Sequence, residues 1–164
     1  MLCRDGAALA AAMQAAEAYL QYGDERDGML YTPDMSRRAR AVELWATLKA
    51  LGKDGVEDLV DRLCAHAQAF ARQLADAGFR VLNDVVFNQV LVACDTPELT
   101  AATLRAVQAS GECWCGGTTW RGEPVVRISV CSWPTTERDI ERSVAAFVRA
   151  RAHVRTAEAG APAG

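Results

Sequence analysis

The sequence predicts an α+β fold, a small antiparallel sheet with helices packed on one face. Three observations point there. The second half of the 164-residue chain reads helix, two strands, helix, two strands, helix, and hairpin-linked strands with helices on one face make an α+β layer. Val56, Leu59, Val60, Leu63, Cys64, Ala67, Phe70, Ala71 and Leu74 recur at the 3, 4, 3, 4 spacing of a helix with one buried stripe. Val126, Ile128 and Val130 alternate with Arg127, Ser129 and Cys131, the period of a half-buried strand.

The elements follow in order. Met1 to Arg4 reads as the end of a strand, and Ala7 to Leu20 is helix-prone by composition. Gln21 to Met35 breaks every period with Gly23, Gly28, Pro33 and the charges Asp24 to Asp27. A connection this long is uncommon inside a compact domain and usually does work. A helix is expected from Ser36 to about Leu51, with Val42, Trp45 and Leu48 on one face and Gly52 and Gly55 as punctuation. After the striped helix, Gly78 stands where a left-handed cap is expected. Strands are expected at Phe79 to Leu82 and Asn88 to Cys94. Thr96 and Pro97 then open a helix that Gly111 closes. Glu112 to Trp120 and Val125 to Cys131 read as strands turned at Arg121 to Pro124. Thr136 caps a last helix with the stripe Ile140, Val144, Phe147 and Val148. After Arg151 the Ala, Gly and Pro content predicts a frayed tail. The first fifty residues hold too little to close a core, and read as a domain whose first part is missing.

Composition excludes several function classes. The formal charge is 18 − 21 = −3, so there is no basic footprint for a nucleic acid. No apolar run approaches the roughly 20 residues of a membrane span. Met1 to Ala18 loosely imitates a secretory signal, but Asp5, Gln14 and Glu17 interrupt it and it reads as an ordinary helix. Six cysteines sit in helical and strand-like segments, which predicts buried free thiols in a reducing cytoplasm rather than a disulfide framework. Cys113 and Cys115 are spaced C-x-C, and with only His66 and His153 beside them a zinc site lacks ligands.

Three places invite chemistry, each with a plainer reading. Arg127 projects from the sheet face opposite the apolar set, where its planar fork can hold a carboxylate in bidentate fashion; an arginine simply solvated on the wet face fits the same pattern. Ser36, Arg37, Arg38 and Arg40 surround a helix start, where free amides and cations suit a phosphate; a helix beginning at Pro33 with its arginines in water fits equally. Tyr19 stands at the hinge of the long loop, placed to donate a proton or merely packed there.

Several segments together resemble the C-terminal part of the group II pyridoxal-phosphate-dependent decarboxylases, the family of aromatic-L-amino-acid, histidine and glutamate decarboxylases. They are Tyr31-Thr32-Pro33-Asp34-Met35-Ser36-Arg37-Arg38 running into Val42-Glu43-Leu44-Trp45, Phe79 to Gln89, Cys113 to Gly117, Val126-Arg127-Ile128-Ser129, Ser132-Trp133 and Thr135-Thr136-Glu137. The resemblance runs from about Cys3 to Arg149. It implies the small domain of the aspartate-aminotransferase-like fold (fold type I), with residues 36–151 as that domain together with its leading interface helix. Residues 1–35 would be a remnant of the large domain plus a mobile loop, and 152–164 a disordered tail. It further implies pyridoxal 5'-phosphate as cofactor, a small amino-acid substrate losing carbon dioxide, and a cytoplasmic homodimer. Tyr19 matches the loop tyrosine that returns a proton to the substrate α-carbon, Arg127 the arginine facing the substrate carboxylate, and Ser36, more weakly, a position near the cofactor phosphate.

One departure matters. The family holds its cofactor on a lysine directly after a histidine, upstream of the loop. Here the two lysines, Lys49 and Lys53, lie downstream of Tyr19, and neither follows a histidine. The histidine that stacks on the cofactor ring and the aspartate that pairs with its nitrogen are missing as well. The chain therefore reads as a fragment that is inactive alone. Two alternatives stay open: another enzyme of the same fold such as an aminotransferase, and a non-catalytic module that binds a partner.

Overall fold

The computed structural model describes residues 3–14, 26–33 and 38–159, and the chain divides into two compact units, Met1–Ala50 and Leu51–Gly164. The first unit opens with α1 (Gly6–Met13). Asp5 starts this helix by accepting hydrogen bonds from the amides of Ala7 (3.1 Å) and Ala8 (3.0 Å), an N-cap that satisfies donors no helical carbonyl can reach. Cys3 and Arg4, just before that cap, are not in a strand. Of the helix expected over Ala7 to Leu20, the described part stops at Met13, and residues 15–25, Tyr19 among them, lie outside the described residues. One turn of 3₁₀-helix, Gly28–Tyr31, breaks the long connection and packs on α1. Asp27 caps it at the Met29 amide (3.1 Å), and the Arg26 guanidinium lies 4.6 Å from the centre of the Tyr31 ring.

The helix expected from Ser36 begins instead at Ala41, as α2 (Ala41–Asp76). Arg38 precedes it and pairs with Glu43 in the first turn, an acidic residue where the helix dipole favours one. Cations therefore flank this helix start rather than occupy it; Ser36 and Arg37 lie outside the described residues. Gly52 interrupts α2 with φ 64° and ψ −171°, a conformation open to glycine. Gly55, expected as a second break, stays helical. Val42, Trp45 and Leu48 do share a helical face, but that face is exposed, Trp45 by 62%.

In the second unit the expected order appears almost element by element: the part of α2 from Leu51 on, β1 (Arg80–Val81), β2 (Gln89–Ala93), α3 (Pro97–Ser110), β3 (Gly116–Trp120), β4 (Glu123–Ser129) and α4 (Glu137–Ala159). The strands form one antiparallel sheet in the order β1-β2-β4-β3. Gly78 (φ 79°) ends α2, and Gly111 (φ 70°) ends α3. Arg121 (φ 50°) and Gly122 (φ 86°) make the two-residue turn between β3 and β4, left-handed at both positions, as the twist of a tight hairpin requires.

One sheet face is covered. Val90, Val92, Val126 and Ile128 pack beneath Ala67, Phe70, Ala71 and Leu74 of α2, Leu99 and Val107 of α3, and Ile140, Val144 and Phe147 of α4. Phe147 is the keystone: its ring meets Phe70 (6.0 Å) and Phe79 (5.9 Å) edge to face. Such a site costs about 3–5 kcal/mol when emptied to alanine. Val148, expected in the stripe, is partly exposed, and Ala150 is buried in its place.

Three more expectations need correction. Glu112 to Cys115 is not strand: the Gln108 side chain donates to the Cys115 carbonyl (2.8 Å) and Arg142 pairs with Glu112 (2.6 Å), which holds the segment as a loop over α3 and α4. The tail expected from residue 152 is helical as far as Ala159, because Val154 packs on the core and Arg155 pairs with Asp95. All six cysteines are free, but not all are buried: Cys3 and Cys131 are exposed.

Candidate functional site

Arg127 lies in β4 between the buried Val126 and Ile128, and its side chain leaves the sheet on the face that the helices do not cover. That face is not simply wet. Leu91, Ala93 and Val125 are buried on it as a second, smaller apolar cluster, with Leu82 beside them. Alternation from Arg127 places Val125 on this face, and Val125 is only 1% exposed. Arg80 and Glu123 share the face and form an ion pair at 3.0 Å.

The register fixes what stands next to Arg127. Leu91 of β2 is opposite on one side and Gly116 of β3 on the other. Opposite residues on one sheet face approach to about 4.5–5.5 Å between Cβ atoms. Gly116 contributes no side chain, so room is left beside the guanidinium on the β3 side. The result is an open groove of about 420 Å³ lined by Arg127, Leu91, Gln89, Thr118, Thr119, Trp120, Asn83 and Asp84. Among the described residues, the Arg127 guanidinium has neither hydrogen bond nor ion pair. An unpaired fork of five donors above an apolar floor is equipped to take a planar oxyanion in two parallel hydrogen bonds.

Asn83 shapes one wall, and sequence reading missed it. β1 stops at Val81, and the Asn83 side chain continues the pairing in place of backbone. Its Oδ1 accepts from the Leu91 amide (2.8 Å), and its Nδ2 donates to the carbonyls of Gln89 (3.1 Å) and Asp84 (3.0 Å). A carboxamide does this because it carries an acceptor and two donors, as a strand edge does. The available signal was an asparagine directly after a short strand, which is also an ordinary turn signal.

The other singled-out positions do not join Arg127. Tyr19 and Ser36 lie outside the described residues. His66 is buried on α2, its Nε2 at 3.1 Å from the Thr135 carbonyl, while Arg62 donates to the Trp133 carbonyl (3.1 Å). Both tie down the segment between β4 and α4. No group of three or more metal-ligating side chains occurs among the described residues. Lys49 and Lys53 are exposed along α2, and no lysine borders the groove. The described residues therefore do not fit a covalently held carbonyl cofactor by themselves.

Comparison with known proteins decides the family. Residues 1–93, more than half of the chain, match the model of the pyridoxal-dependent decarboxylase conserved domain. The chain belongs to this family. Solved structures agree in fold. An Oryza sativa TDC crystallised with PLP and tryptamine superposes with a TM-score of 0.75 over 88% of this chain at 16% identity. Mouse CSAD in apo form gives 0.70 over 87% at 15% identity. Tryptophan decarboxylase of Catharanthus roseus, in complex with L-tryptophan, gives 0.68 over 78% at 19%. The match covers 33%, 33% and 29% of those chains respectively, so this chain spans about a third of the length of the structures it resembles.

Proposed function

We propose that this chain supplies the small-domain part of a pyridoxal-phosphate-dependent carboxy-lyase that releases carbon dioxide from an L-amino acid. The observation that carries the reading is the unpaired Arg127 fork over a groove on the one sheet face the helices leave open. In this reading Arg127 holds and orients the substrate carboxylate. Tyr19 returns a proton to the α-carbon, and Ser36 stands near the cofactor phosphate. The electron sink would be pyridoxal phosphate, bound through a lysine that this chain does not contain. Residues 1–35 go with the large domain and the helix after Ser36 with the interface of a homodimer. Free thiols at all six cysteines support a reducing, cytoplasmic setting.

The test is complementation. Alone, the 164 residues are expected to retain no pyridoxal phosphate through gel filtration and to release no carbon dioxide from amino acids. Joined to a polypeptide carrying the rest of the family fold, they are expected to restore release. Arg127→Gln should then lower kcat/KM about 30-fold or more, the scale of losing one partner of a desolvated charge pair. Full activity of Arg127→Gln in the restored enzyme would end the assignment.

A second reading, a module that binds a partner without catalysis, is favoured by the exposed face of Val42, Trp45 and Leu48. Complementation separates the two: a mere binding module associates with the companion polypeptide and restores no release.

A further inference from the structure

We propose that the Arg127 groove selects a ligand with one carboxylate and no second negative charge, and that Asp84 is the specificity-determining residue that turns the second charge away. The inference rests on the reading of Arg127 as a carboxylate anchor and adds to it the class of ligand.

The charges around the groove support it. Among the described residues, Arg127 is the one cation bordering the groove and Asp84 the one anion; the remaining described wall is neutral. Among the described residues, neither side chain has an ion-pair partner, so both charges are free to act on a ligand. The backbone of Asp84 is also held in place. Asn83 Nδ2 bonds to its carbonyl while Asn83 Oδ1 takes the amide of Leu91, the register partner of Arg127.

Other cations are committed elsewhere. Arg80, on the same face, is in its ion pair with Glu123. The Arg121 guanidinium lies 5.7 Å from the centre of the Trp120 ring. Trp120 stands four strand positions beyond Gly116, the partner of Arg127, or about 13 Å at the rise of a strand. A short dicarboxylate anchored at Arg127 cannot reach it. Its second carboxylate meets Asp84 and neutral walls instead.

The contrast with a lone surface arginine is sharp. A lone arginine prefers a dianion, which carries twice the charge and offers two equivalent ends. A preference for the monoanion therefore needs a fixed negative charge nearby.

The experiment follows the arginine Nε–H resonances of the ¹⁵N-labelled chain at pH 7 and low ionic strength, with Arg127 assigned from Arg127→Lys. The probes are propionate and succinate. Propionate is expected to bind at Arg127 roughly threefold more tightly than succinate. Asp84→Asn, an exposed and nearly isosteric change, is expected to reverse the order. Succinate binding as tightly as propionate to the unaltered chain, or a ratio that Asp84→Asn leaves unchanged, overturns the inference while the anchor stands. If propionate moves Arg127 no more than it moves Arg105, an exposed arginine on α3, the anchor itself fails.

Discussion

The Cys115 thiol is 4% exposed, and its pKa is pushed up from the ordinary 9.0 to about 12, first by burial and second by the neighbouring Cys113. Below about pH 9 the thiol is protonated both folded and unfolded. Between 9 and 12 the unfolded chain sheds the proton while the folded chain keeps it, so stability falls as pH rises through that window. Urea unfolding from pH 8 to 10.5 should therefore lose more free energy for the natural chain than for Cys115→Ala, and the two curves should converge at the alkaline end. Parallel curves would show that Cys115 does not titrate this way. At this scale Arg127 was legible, because alternation with Val126, Ile128 and Val130 forces it onto the other face. Its setting was not. Val125 is buried on the Arg127 side only because Leu91 and Ala93 of another strand lie beside it, a pairing that no local period encodes. Asn83 was hidden for the same reason, since its bonds reach across to Leu91 and Gln89.

Helix α4 shows how an element is held by one reaching back to another. Arg151 donates from Nη1 to the Gly78 carbonyl (2.7 Å) and from Nη2 to the Ala77 carbonyl, and its guanidinium lies 3.9 Å from the centre of the Phe79 ring. These carbonyls follow the end of α2, where helical partners run out. Arg151→Ala should destabilise the fold by about 1–3 kcal/mol, since it removes charge-assisted hydrogen bonds and a stacked cation together. Arg151→Lys should recover less than half of that, because an ammonium lacks the fork. Equal thermal unfolding of Arg151→Ala and the natural chain would refute this. Where the start and stop signals are local the sequence was a reliable guide: Thr96, Pro97 and Gly111 bound α3 as expected. Thr136 opens α4 likewise, its amide and hydroxyl donating to the Asp139 carboxylate at 2.9 and 2.7 Å and holding that carboxyl below its usual range. The loop over Glu112 to Cys115 and the C-terminal turns of α4 were misread because Gln108, Arg142 and Asp95, distant in sequence, decide them.

The whole molecule divides its burden unevenly. Every buried residue among the described ones lies in Leu51–Gly164, and none in Met1–Ala50. Stability comes chiefly from apolar area withdrawn from water, so the second unit carries the cooperative core and the first contributes little to it. A chain beginning at Leu51 should then unfold in one transition with Tm within about 4 °C of the full chain, about what a 1 kcal/mol change produces in a domain near this size. The solubility of the two should differ more than their stability. The shortened chain no longer displays Val42, Leu44, Trp45 and Leu48, which the longer one exposes together. Calorimetry and light scattering on both chains check the two halves of this expectation. Loss of the cooperative transition on removing residues 1–50 would refute the assignment of the core to the second unit.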